Sequence, residues 1–177
     1  MITLTASDGH ILSAYETTPS AETRMGVVVV QEIFGVNAHI RSVADAYAMR
    51  GFRGVAPALF DRFEPNVELG YDAAGVARGR ELMGETDWAQ ALDDLSAAAA
   101  WLREQGCAKI GAVGYCFGGA VAFAASCEGL VDAAVSYYGG QIGGYLDARP
   151  GARAQTPLMM HFGERDGMIP PEARSRA

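Results

Sequence analysis

Gly26-Val27-Val28-Val29-Val30 is an unbroken apolar run, the pattern of a strand buried on both faces. Lys109 to Val113, Ala133 to Tyr138 and Pro157 to Phe162 predict further strands, and Phe52 to Ala56 a short one that Pro57 stops. Ile40, Val43, Ala44 and Tyr47 recur at helical spacing over Ile40 to Arg50, with Gly51 placed to cap that helix. Thr86-Asp87-Trp88 opens a long helix to about Glu104, with Leu92, Leu95, Ala99 and Leu102 on one face. Ile2 to Leu4 and Ile11 to Tyr15 flank Ser7-Asp8-Gly9, a hairpin signal. The segment from Asp61 to Gly84 breaks the pattern and reads as a polar excursion with one or two helical turns. Strands alternating with helices after a hairpin predict an α/β fold: a doubly wound, mostly parallel sheet with an N-terminal antiparallel hairpin. No repeat or low-complexity linker divides the chain, so residues 1–177 read as a single domain.

Ligand and catalytic sites in such sheets lie at the carboxyl ends of the strands. Three segments fall there. Gln31-Glu32-Ile33-Phe34-Gly35 follows the valine strand, and Gly163-Glu164-Arg165-Asp166-Gly167 follows the last readable strand. The third is Gly114-Tyr115-Cys116-Phe117-Gly118-Gly119, followed by a small-residue helix over Ala120 to Ala125. Strand, Gly-x-Cys-x-Gly and helix are the grammar of a nucleophile elbow, with cysteine where serine is commoner. The sharp turn exposes one side chain, and glycines are needed where strand and helix pass too close for a Cβ. A thiol at a helix N-terminus gains from unpaired N–H groups that favour thiolate and can also hold an oxyanion. A dinucleotide loop fits less well. The glycines are not spaced G-x-G-x-x-G, and no acidic residue ends the next strand. Cys107 and Cys127 read as small buried hydrophobes.

Composition narrows the function. Half of the 177 residues are hydrophobic and 20% are charged, as in a globular protein. The formal net charge is −7, and Lys109 is the sole lysine, which argues against nucleic-acid and anionic-membrane partners. No apolar run is long enough to suggest a membrane span, and Met1-Ile2-Thr3-Leu4 lacks the basic start and long apolar region expected of a signal peptide. Three cysteines at irregular spacing suggest neither a disulfide framework nor a zinc site, and the balance predicts a reducing cytoplasm, where a free thiol survives.

With these segments in place, the chain resembles the dienelactone hydrolase family of α/β-hydrolases. The matching residues are Gln31-Glu32-Ile33-Phe34-Gly35-Val36-Asn37, the Cys116 elbow, and His161-Phe162-Gly163-Glu164-Arg165-Asp166 with Ile169-Pro170. The resemblance implies Cys116 as nucleophile, Asp166 as the acid that orients a histidine, and Glu32 as a carboxylate controlling the thiol proton. It implies an oxyanion hole from the N–H groups of Ile33 and Phe117. Family members open an enol-lactone ring, releasing maleylacetate from dienelactone, without metal or cofactor. A substrate carboxylate needs a basic partner, for which Arg78 and Arg80 are candidates; each also reads as part of a solvated helix face. Glu32 has the alternative of an ordinary strand-end carboxylate, and Asp166 of a turn former.

The family's triad histidine lies well beyond the acid, after one more strand, whereas here Arg174-Ser175-Arg176-Ala177 ends the sequence. His10 falls in the hairpin and His161 inside a strand, and His39 alone has a route toward the thiol. The expectation is a C-terminally incomplete domain, with its last strand and helix missing. Such a domain has an open sheet edge prone to self-association and weak or no activity. The leading reading is a cysteine hydrolase of a small lactone or ester. A general carboxylesterase or thioesterase, a non-catalytic ligand-binding remnant and a redox-sensing thiol remain alternatives.

Overall fold

The valine run becomes the middle of the sheet. The computed structural model describes residues 1–176. Among these, β1 (Ile2–Thr5), β2 (Ile11–Thr17), β3 (Met25–Val30), β4 (Arg53–Pro57), β5 (Lys109–Tyr115), β6 (Ala133–Tyr137) and β7 (Leu158–His161) form one sheet. Its order is β1-β2-β4-β3-β5-β6-β7. The first two pairings, β1 with β2 and β2 with β4, are antiparallel, and the other four are parallel. The mostly parallel sheet with an N-terminal hairpin is therefore as the sequence predicts.

Period-two alternation divides β3 between two cores. Val28 and Val30 join the larger one, and Val27 and Val29 the smaller. The larger core receives α3 (Trp88–Glu104), α4 (Phe117–Cys127) and Tyr145 of α5 (Ile142–Ala148). The smaller receives Ile40 and Ala44 from α1 (Ala38–Ala48). Helices on both faces are what a parallel sheet requires to bury its apolar residues.

The segment from 61 to 84 departs from its expectation. It contains α2 (Ala73–Glu85), a helix of 13 residues and not one or two turns. Asp72 caps it by accepting the Gly75 N–H at 2.8 Å. Gly75 and Gly79 look like helix breakers in sequence but are interior positions where α2 meets other backbone. Leu82 supplies the fully buried anchor. A 3-10 turn over Leu59–Arg62 precedes it. Arg62 reaches Asp94 of α3 with two bonds, at 2.9 and 2.7 Å, and Asp8 in the hairpin turn at 2.7 Å. The buried Arg62–Asp94 pair, with the exposed Asp8 contact, ties the hairpin to the helical layer.

At the other end, α6 (Pro171–Arg176) follows β7. Among the described residues β7 pairs with β6 alone and lies at an edge of the sheet, where Met159 is 58% exposed.

Candidate active site

The residue at the strand-to-helix turn is Cys116, whose φ of +54° is a left-handed conformation rare for a residue with a side chain. Packing enforces it. A Cβ on Gly114 would overlap the Gly118 carbonyl, and one on Gly118 would overlap the carbonyls of Val30 and Gln31. Strand and helix close directly on each other, and the thiol is the side chain left at the bend. The Cys116 N–H donates to Tyr137 O at 3.0 Å, and its carbonyl accepts the Gly119 N–H at 3.0 Å. Every residue of α4 is buried, so the helix N-terminus cannot drift from the sheet.

The register of β3 with β5 aligns Val30 with Gly114, which brings the segment after β3 to the elbow. Gln31 there is wholly buried. Its Oε1 accepts the Leu59 N–H at 3.1 Å, and its Nε2 donates to Glu32 O at 3.3 Å. Glu32 is 9% exposed, and its Oε1 accepts the Tyr138 hydroxyl at 3.3 Å. Ile33 and Phe34 are buried. A strap from the 63–71 segment holds this loop: Leu69 N–H donates to Phe34 O at 3.0 Å, and Glu68 takes a forked pair of bonds from Arg41 at 2.6 and 2.9 Å. On the far side, Gly79 of α2 presses on the Ile33 carbonyl.

Asp166 is half-buried after β7, and its Oδ1 accepts the Met168 N–H at 2.8 Å, a turn-forming contact. Its charge nevertheless reaches the thiol. Burial pushes the Cys116 thiol above its ordinary range; the Phe117 N–H pulls it down, Glu32 and Asp166 push it up, and Arg80 pulls it down. The helix-terminus expectation of a favoured thiolate is thus outweighed by desolvation and two nearby carboxylates. The structure therefore gathers Cys116, Phe117, Glu32, Asp166 and Arg80 in one neighbourhood.

The two arginines separate. Arg78 is engaged by Glu64 at 3.0 Å and Glu81 at 3.1 Å. Arg80 is exposed, and its charge makes the smallest of the contributions that set the thiol's pKa, a downward one. None of the histidines is among the groups acting on Cys116. His39 is exposed with its ring 6.4 Å from that of Tyr115, and His161 stacks on Tyr137 at 4.6 Å. Sequence reasoning missed Tyr138. Its one available signal was position: the register pairs Tyr115 with Tyr137, so the next residues, Cys116 and Tyr138, emerge side by side. Among the described residues, no group of three or more His, Cys, Asp or Glu side chains could hold a metal ion.

A mostly parallel sheet with a strained strand-to-helix turn after β5, beside the middle strand, defines an α/β-hydrolase fold. A crystal structure from Klebsiella pneumoniae superposes with a TM-score of 0.77 at 25% identity, covering 98% of this chain and 77% of the other. An alpha-beta serine hydrolase homologue from Coxiella burnetii gives 0.70 at 16% identity, over 99% and 78% of the two chains.

The dienelactone hydrolase family model matches residues 12–177, and the chain belongs to that family. The carboxymethylenebutenolidase of Pseudomonas putida is 34% identical over 176 residues, which are 98% of this chain and 74% of that protein. A relative from Synechocystis sp. is 37% identical over 153 residues, and the chain spans 62% of its length.

Proposed function

We propose that this chain is a cysteine-nucleophile hydrolase of small lactones or esters, acting as a carboxymethylenebutenolidase-like enzyme. The observation that carries the reading is Cys116 at φ +54° on the elbow, with Glu32, Asp166 and Arg80 around its thiol. Glu32 accepts the thiol proton as substrate enters, and the sulfur attacks the carbonyl carbon. The carbonyl π pair moves to oxygen, and the resulting alkoxide is held by the N–H groups of Ile33 and Phe117. Collapse breaks the ring C–O bond and expels an enolate, a good leaving group that later takes up a proton. Water then adds to the thioester carbonyl, the C–S bond breaks, and the thiol recovers its proton. Arg80 faces a substrate carboxylate, because Arg78 is already occupied by two glutamates. Asp166 is the acid of this scheme, its charge felt at the thiol.

The test is hydrolysis of p-nitrophenyl acetate and of dienelactone by wild type and Cys116→Ala. Cys116-dependent acyl release, with dienelactone the better substrate, is expected. Equal rates for the two proteins would end the assignment. Faster turnover of simple acyl esters would favour a general carboxylesterase or thioesterase. Ligand-dependent thermal stabilisation without product would favour a binding remnant.

A further inference from the structure

Two non-glycine residues at the carboxyl edge of the sheet have left-handed backbones. One is Cys116; the other is Tyr138, at φ +41°. An aromatic residue seldom adopts this conformation, and here it is held from both sides. The Tyr138 N–H donates to His161 O at 2.8 Å. The next residue, Gly139, lies where an added Cβ would crowd Ser136 Oγ and Ile142 Cδ1, each at 2.9 Å. The backbone therefore turns against α4 and sends the Tyr138 ring toward the elbow. The ring lies tilted beside Tyr115, at 6.4 Å between centroids, and its hydroxyl meets Glu32 Oε1 at 3.3 Å.

Glu32 needs that hydroxyl. It is a carboxylate at 9% exposure, and the Tyr138 bond is its one side-chain hydrogen bond among the described residues. A buried anion with few donors is costly, and each donor both fixes its rotamer and disperses its charge. Burial and the adjacent Glu32 carboxylate push the phenol above its ordinary range, so at neutral pH it stays protonated and donates.

We propose that Tyr138 is a positioning residue of the Cys116 site: its hydroxyl holds the Glu32 carboxylate beside the thiol and disperses the negative charge that a Cys116 thiolate meets. This rests on the hydrolase reading for its purpose, but not for its test. Without the donor, Glu32 turns a less dispersed charge on the sulfur. The thiolate becomes harder to form, and the carboxylate loses the orientation from which it takes the proton.

The experiment is alkylation of Cys116 by iodoacetamide at pH 7.5 in the 177-residue chain, followed by mass spectrometry to isolate that thiol. It compares wild type, Tyr138→Phe, Glu32→Gln and the double variant. Tyr138→Phe keeps the ring and removes only the hydroxyl. It is expected to slow alkylation about two- to fivefold, a modest share of what a hydrogen bond to a charged group contributes. Glu32→Gln is expected to speed alkylation, and on that background Tyr138→Phe is expected to change nothing. A tyrosine that merely packs would give the same change in both backgrounds, and that result would overturn the proposal, as would unchanged alkylation in Tyr138→Phe. Ester hydrolysis by Cys116→Ala, run beside it, reports separately on the hydrolase reading. If that activity proves independent of Cys116, the catalytic scheme fails, while the alkylation cycle still decides the role of Tyr138.

Discussion

Gly79→Ala adds one methyl group where α2 crosses the loop after β3. The added carbon would overlap the Ile33 carbonyl oxygen and stand 3.1 Å from Ile33 C and Ile33 Cβ. Carbon atoms rest at about 3.5–4.0 Å, and the overlap with oxygen is worse, so helix and loop must part by about 1 Å. Ile33 cannot simply yield, since it is buried and the neighbouring Phe34 carbonyl is bonded to Leu69. Overpacking of this kind costs about 1–3 kcal/mol, which lowers Tm by roughly 3–10 °C in a chain of this size. The same displacement moves the Ile33 N–H, the oxyanion donor of the proposed mechanism, and a 1 Å error there is expected to cut Cys116-dependent ester hydrolysis by about tenfold to a hundredfold. Gly84→Ala is the matched control. It lies in the same helix with nothing within 4 Å of the added carbon. That change is expected to stabilise by about 0.4–1 kcal/mol through lost freedom in the unfolded chain. Circular dichroism melts and p-nitrophenyl acetate rates on both variants make the comparison. If Gly79→Ala matched wild type in both assays while Gly84→Ala rose as expected, the close approach of α2 to Ile33 would be wrong.

Three other perturbations test separate parts of the structure. Asp94→Ala strands most of the buried Arg62 charge, leaving Asp8 as its partner, and should cost about 3 kcal/mol in urea denaturation; a loss under about 1 kcal/mol would deny the pair its role. Burial holds the Cys116 thiol up, so its alkylation midpoint should be higher in the folded chain than in urea, and a folded midpoint at or below the unfolded one would contradict this. The linked stability is fully present below the unfolded midpoint of about 8.5 and is lost as pH rises through the folded one, a decline that Cys116→Ala should flatten. The β7 edge should drive self-association that grows with concentration in sedimentation velocity and weakens in Met159→Lys; a chain monomeric at all concentrations would exclude it.

The features legible in sequence were those carried by contiguous residues. The valine run announced β3, and the glycines around Cys116 announced a turn whose backbone conformation the structure displays. The 61–84 segment was obscure because Gly75 and Gly79 score as helix breakers locally but serve packing against Gly70 and Ile33. The Arg62–Asp94 pair was invisible because no local pattern marks partners 32 residues apart. Arg78 and Arg80 look alike in sequence; what separates them, two glutamate partners for Arg78 and a long-range charge effect on the thiol for Arg80, exists only after α2 packs. Tyr138 escaped notice because its role depends on strand register, which the sequence does not print.

The adjacency of β3 and β5 also bears on how the molecule is made. Their partners, Val30 and Gly114, are separated by nearly half of the chain. Pairing them closes a long loop, an entropic cost met before any contact between the strands repays it. Glu32 sits just beyond one strand and Cys116 just beyond the other, so no locally folded segment contains both. During synthesis the N-terminal portion can emerge with its carboxylate and the helix after it, yet the thiol joins them only when the central parallel pair zips. The neighbourhood of the thiol thus waits for a pairing that no local segment can complete.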